Sequence, residues 1–203
     1  MSRRKSTYAG GDPRTRAARE RGYPARSVFK LEEIDARIRL FRPGQRVLDL
    51  GAAPGSWTLF AGERVGPGGE VVAVDLQQIV QPLPSNAIVL QGDVLALGAE
   101  LAARGPFDVV LSDMAPSTSG SKVRDQAMSF ELFSEALGLA RACGRRGSRF
   151  VGKLFMGPDF AQARSAVVDA YRRCVVIRPA GTRQQSSEVF LVGEALISPN
   201  PGT

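Results

Sequence analysis

RVLDLGAAPGSW, residues Arg46 to Trp57, runs from a short apolar segment holding one acid, through a turn punctuated by glycine and proline, into a helix-forming stretch. A parallel α/β sheet opens this way when it sets a helix N-terminus over the carboxyl end of its first strand. Gly51 and Gly55 let the backbone turn sharply and approach a ligand closely ahead of that N-terminus. Such turns also occur as plain structure, so the remaining segments decide. The turn is not the G-x-G-x-x-G of a pyrophosphate binder, which disfavours a nicotinamide cofactor.

Working outward, Val28, Leu31, Ile34 and Ile38 recur at helical spacing before Pro43-Gly44 ends the pattern. Downstream, the β-like runs EVVAVDL (70–76), AIVLQGD (87–93) and FDVVLSD (107–113) alternate with helical patterns at about 56 onward and 95–104. A longer helix over about 125–143 leads into SRFVGKLF (148–155), then a helix near 160–173. The strands CVVIRP and EVFLVGEAL close the chain with no helix between them. The alternation predicts an α/β fold, a Rossmann-like, mostly parallel sheet with helices on both faces. The missing helix predicts an antiparallel last strand inserted beside its neighbour.

Ligands of open α/β sheets bind at the carboxyl ends of the strands. Five consecutive strands end there with an ionisable residue: Asp49, Asp75, Asp93, Asp113 and Lys153. Strand ends face water, so one such charge is unremarkable; five define a functional edge. Asp75 is spaced from Gly51 to accept hydrogen bonds from a ribose diol, which with the missing pyrophosphate motif points to S-adenosylmethionine. Asp93 would lie near its adenine, and Trp57 would offer an apolar surface. Lys153 stands among Phe150, Val151, Leu154 and Phe155, where an ammonium either snorkels to water or is paired and used. If the fourth and fifth strands are neighbours, Asp113 is within salt-bridge reach of it.

The totals fit one domain of ordinary size: 203 residues, 43% hydrophobic and 23% charged. The absence of histidine excludes Ser-His-Asp and Cys-His catalysis and an imidazole base. The two cysteines lack CxxC spacing, so neither a disulfide framework nor a thiolate metal site is expected. No run reaches eighteen apolar residues and no secretory segment opens the chain, so a cytoplasmic protein without a membrane partner is expected. Residues 1–30 hold nine Lys or Arg against Asp12 and Glu20, while the other 173 hold 18 of each sign, so the +7 excess sits on the N-terminal arm. That arm is expected to be mobile when unbound and is either a solubilising tail or a phosphate contact.

RSVFKLEEID, VLDLGAAPGSW, AVDL, LQGD, SDMAPSTSG, GKLFMG and RQQSSEVFLV, in this order, resemble the FtsJ/RrmJ (RlmE) family of ribosomal RNA large-subunit 2'-O-ribose methyltransferases. The resemblance runs from about Arg26 to Gly193 and implies a class I methyltransferase fold with seven strands, one antiparallel. It implies S-adenosylmethionine as donor and a catalytic set Lys30, Asp113, Lys153 and Glu188, with Lys153 as proton acceptor. The cofactor pocket is expected to include Gly51, Gly55, Trp57, Asp75, Asp93 and Asp113. Ser117 stands where well-known bacterial members have Asn, which alters a loop contact and not the catalytic set. The domain limits expected are a basic arm over 1–26, a methyltransferase domain over 27–196 and a tail over 197–203. The implied partner is ribosomal RNA within the large subunit, with a uridine of 23S rRNA as target; separately, a monomer working without a metal is expected. A tRNA methyltransferase of the same superfamily, or a non-catalytic RNA-binding assembly factor, are the alternatives. From the residues alone, Lys153 serves equally as a neutral base or as a cation stabilising alkoxide charge.

Overall fold

The valine- and leucine-rich β runs are buried on both faces, which requires helices above and below one sheet. The computed structural model, which describes residues 12–117, 119–180 and 187–199, has that architecture. Its elements are α1 (Pro13–Glu20), α2 (Val28–Ile38), β1 (Arg46–Leu50), α3 (Ser56–Val65), β2 (Glu70–Asp75), β3 (Ala87–Gln91), α4 (Gly98–Arg104) and β4 (Phe107–Ser112). There follow α5 (Lys122–Cys143), β5 (Gly144–Phe155), α6 (Phe160–Ala170), β6 (Tyr171–Ile177) and β7 (Glu188–Leu196). The strand order is β3-β2-β1-β4-β5-β7-β6. All neighbours are parallel except β7, which pairs antiparallel with both β5 and β6. Order reverses between β1 and β4, so the crevice for a ligand opens at their carboxyl ends.

Alternate strand residues feed two cores. Val47, Val71, Val109, Leu111, Val151 and Phe190 pack against Leu31 and Ile34 of α2 and Trp57 and Phe60 of α3. Leu48, Val72, Val110, Phe150 and Leu191 pack against Leu101, Phe133 and Val167 of α4, α5 and α6. Each fully buried large side chain contributes about 1.5–3 kcal/mol of transfer free energy. α2 ends where Arg39 turns left-handed (φ 51°) and its N–H returns to the Asp35 carbonyl.

Four expectations shift. The helix near 160–173 ends at Ala170, because Tyr171 turns extended (φ −123°, ψ 146°) and opens β6. The 95–104 helix starts at Gly98, because the Asp93 carboxylate accepts the Leu95 N–H (2.8 Å) and holds the preceding residues as a turn. β5 begins at Gly144 rather than near 148, with Arg145 to Gly147 exposed. The arm, expected to be mobile over about its first twenty residues, contains the packed helix α1. Asp12 caps it through the Arg14 N–H (3.2 Å), Pro13 occupies its first turn, and Ala18 is fully buried. Tyr23 then donates to Glu63 of α3 (2.6 Å). Residues 1–11, the rest of that arm, lie outside the described residues.

Gly193 faces the stacked rings of Tyr171 and Phe150, and a Cβ there would sit 2.5 Å from the Tyr171 ring. Both rings are fixed in the core, so Gly193→Ala is expected to destabilise the fold by about 1–3 kcal/mol in denaturant unfolding. An unchanged midpoint would show that the ring pair can move aside.

Candidate active site

Side-chain parity assembles the charged residues. Lys153 is opposite Phe190, and Phe155 opposite Glu188, across the β5–β7 pair. Directly opposed residues share a face, as do residues two apart, so Lys153 and Glu188 project from the same face as Phe190. Ser112 of β4 aligns with Gly152 of β5, which carries the next residue, Asp113, beside Lys153. Lys153 Nζ donates to Asp113 Oδ1 (2.8 Å) and to the Asp113 backbone carbonyl. Lys30 descends from α2 onto the same face, 2.5 Å from Glu188 Oε1 and 5.9 Å from the Phe190 ring centre. Lys153 and Glu188 are 7% and 9% exposed, so both ion pairs are shielded from water. All four expected catalytic residues are therefore gathered at one end of β4, β5 and β7.

The turn after β1 forms the other side of the crevice. Gly51 (φ 74°) lies so close to Met114 that a Cβ would be 3.0 Å from its backbone nitrogen, and Gly55 has φ 105°. These are positions where only glycine fits without strain. Asp75 at the end of β2 accepts the Ala53 N–H (2.8 Å) and the Gln77 N–H (2.7 Å), which orients its carboxylate at the turn. Asp93 is exposed at the same edge. Asp49 is different from the strand-end residue expected: it lies within β1, fully buried, with Oδ2 accepting from Thr58 (2.7 Å). Its Oδ1 is buried without a hydrogen-bond partner among the described residues. Burial, aided by the nearby Asp113 and Asp75, raises its pKa to about 7 against the pull of Thr58.

Trp57 corrects an expectation. Its side chain is only 2% exposed, packed against Phe190 (ring centres 5.7 Å apart), with Nε1 donating to the Ser27 carbonyl (2.9 Å). The indole therefore belongs to the core, and what it leaves to the crevice is a backbone N–H in the first turn of α3, where helices lack internal acceptors. Ser56 beside it donates to the Ala25 carbonyl (3.1 Å) and accepts the Ala25 N–H (2.8 Å). Together these bonds tie the segment before α2, and hence Lys30, to the start of α3. Sequence reading missed this clamp, since nothing in the spacing of residues 25–27 and 56–57 announces it.

A doubly wound sheet with a glycine turn after β1, an acid at the end of β2 and an inserted antiparallel strand has the fold of class I methyltransferases. Residues 23–196 match the family model described as FtsJ-like methyltransferase, and the chain belongs to that family. It is 57% identical over 190 residues to a ribosomal RNA large subunit methyltransferase E of Sorangium cellulosum, covering 93% of this chain and 90% of that one. It is 50% identical to the protein of the same description from Nitratidesulfovibrio vulgaris, over 86% and 89% of the two chains. The fold is also that of a Plasmodium falciparum protein assigned as a ribosomal RNA methyltransferase, with TM-score 0.77 and 21% identity over 87% of this chain and 100% of the other. Human methyltransferase-like protein 13, solved with S-adenosylhomocysteine, superposes with TM-score 0.58 and 16% identity, over 85% and 83% of the chains.

Asp49 yields a pH prediction. The folded chain keeps its proton up to about pH 7, whereas an unfolded Asp releases it near pH 4. Within that window the folded state binds the extra proton, so the contribution falls as pH rises, by at most ~1.4 kcal/mol per pH unit. Asp49→Asn, which cannot ionise, is expected to flatten the decline in thermal stability between pH 5 and 7; an identical decline in both proteins would place its origin elsewhere.

Proposed function

We propose that the protein transfers a methyl group from S-adenosylmethionine to a ribose 2'-hydroxyl of RNA, with a uridine of 23S rRNA in the large ribosomal subunit as target. Family membership and the named relatives support the reaction class. The observation that carries the mechanism is the environment of Lys153 Nζ. Bonded to Cε and engaged with two oxygens of Asp113, it has one tetrahedral position left. The ammonium proton at that position leaves before transfer, and the lone pair so uncovered accepts the 2'-hydroxyl proton as the oxygen attacks. Lys30 and Glu188 frame the ribose and keep Lys153 in register across β7.

The residues around the crevice fit the donor. Its cationic sulfonium and ammonium groups suit this acidic edge, where the buried Oδ1 of Asp49 has no hydrogen-bond partner among the described residues. Gly51 and Gly55 give the close backbone approach, the first turn of α3 including the Trp57 N–H would receive its carboxylate, and Asp75 and Asp93 would take its ribose and adenine. When bound, the donor supplies an activated methyl; the protein's share is alignment and removal of one proton. Exposed Arg14, Arg16 and Arg19 of α1, with Lys122 and Arg124 at the start of α5, would contact phosphates. The reading includes a cytoplasmic monomer working without a metal. Among the described residues no helix is long and apolar enough to cross a membrane.

The deciding experiment incubates the protein with labelled S-adenosylmethionine and large subunits, free 23S rRNA or tRNA, and maps 2'-O-methylation by mass spectrometry. Methylation of tRNA alone would overturn the ribosomal target. Lys153→Ala is expected to lower single-turnover transfer at least ~100-fold while cofactor affinity by calorimetry is retained. Lys153→Arg keeps the charge but cannot accept a proton; near-normal transfer in that variant would overturn the proton-acceptor role.

A further inference from the structure

The sheet edge opposite Lys153 collects arginines from separate parts of the chain. The parallel strands β1, β4 and β5 begin there, and β6 begins there too, since both β5 and β6 run antiparallel to β7. Arg42 precedes β1, Arg141 is in the last turn of α5, Arg145 and Arg146 open β5, and Arg172 and Arg173 open β6. All six are exposed. The pairing of β4 with β5 passes from Phe107–Gly144 to Val109–Arg149, so β5 spends five residues where β4 spends two. The surplus, Arg145-Arg146-Gly147, protrudes from the edge, with Gly147 at φ 85°.

The acids of this edge are committed: Asp108 pairs with Arg145, Glu194 with Arg173 (3.1 Å) and Glu70 with Arg46 (2.7 Å). Among the described residues, Arg42, Arg141, Arg146 and Arg172 have no ion-pair partner, and Asp169 near the end of α6 is the acid left to oppose them. Arg141 lies near enough to Tyr171 to lower its hydroxyl pKa against the stronger upward push of burial, which links α5 and β6 in one patch. Four like charges opposed by a single acid repel one another, and guanidinium forks match phosphate oxygens.

We propose that this edge binds phosphates of an RNA segment remote from the methylated nucleotide, so that a large folded RNA is held at both ends of the sheet. The proposal rests on the RNA reading above. Arg146 and Lys153 are seven residues apart on β5, roughly 20 Å at strand rise, so the contact needs more RNA than the nucleotides around the target.

The test is Arg146→Glu/Arg172→Glu in the full chain, assayed on large subunits and 23S rRNA. The expected result is a KM raised about tenfold or more with kcat and cofactor affinity unchanged, and a salt dependence of RNA binding shallower by about one to two in log–log slope. Arg146→Lys/Arg172→Lys should restore most of that slope, which separates charge from misfolding. An unchanged KM and slope would overturn the proposal, as would a loss confined to kcat. Failure of the unaltered protein to methylate any RNA would instead overturn the underlying function.

Discussion

A lysine ammonium at 7% exposure is the constraint from which the rest of the site follows. Removing it from water costs several kcal/mol unless acceptors replace the lost hydration. Asp113 provides two of them, one from its carboxylate and one from its carbonyl. Both reach Lys153 only because β4 and β5 are parallel neighbours in the register that sets Ser112 beside Gly152. On the other flank, inserting β7 puts Glu188 on the same face, where it engages Lys30. The strand order and the antiparallel reversal are thus requirements of the buried charge as much as of the apolar core.

The proposed cofactor side and the proposed acceptor side are mechanically one piece. Ser56 and Trp57 begin the helix that follows the glycine turn, and their side chains hold Ala25 and Ser27, immediately before the helix carrying Lys30. A displacement of the α3 N-terminus therefore moves the Lys30–Glu188 pair. Asp35 adds a second tie, accepting both the Phe41 N–H (3.1 Å) and Arg64 of α3 (2.9 Å). The donor and acceptor sites proposed above, so joined, would be set at a fixed separation, as an in-line methyl transfer demands.

Much of this was legible in the chain because it depends on period and order. Alternation of β runs with helical patterns specified the layers, and the missing helix before EVFLVGEAL specified the insertion of β7. Parity then made the adjacency of Asp113 and Lys153 foreseeable. What escaped depends on contacts with no sequence period. Trp57 was read as a pocket wall, but its helix turns the indole inward to Ser27. Asp49 was read as a strand terminus, but β1 continues one residue past it and buries it over Thr58. The arm's composition is polar, yet one alanine face and a capped proline start are enough to dock α1 once α2 and α3 offer it a surface.

Charge sorting has a local cause that also limits it. Helix N-termini lie above strand carboxyl ends and favour acids, whereas helix C-termini lie near strand starts and favour bases. Arg37, Arg64, Arg104 and Arg141 occupy last turns of α2, α3, α4 and α5, and Asp75 and Asp113 lie at the opposite edge. The 18 acids and 18 bases after residue 30 thus cancel in sum, while the macrodipoles account for part of their separation. Arg146 and Arg172 stand outside that explanation, because they open strands β5 and β6. Arg172 follows the C-terminus of α6 by two residues, but no acid among the described residues pairs with either arginine, and the bulge of β5 pushes Arg146 outward. One acid, Asp169, and one helix end oppose them within the chain, so most of the compensating charge is to be sought outside it.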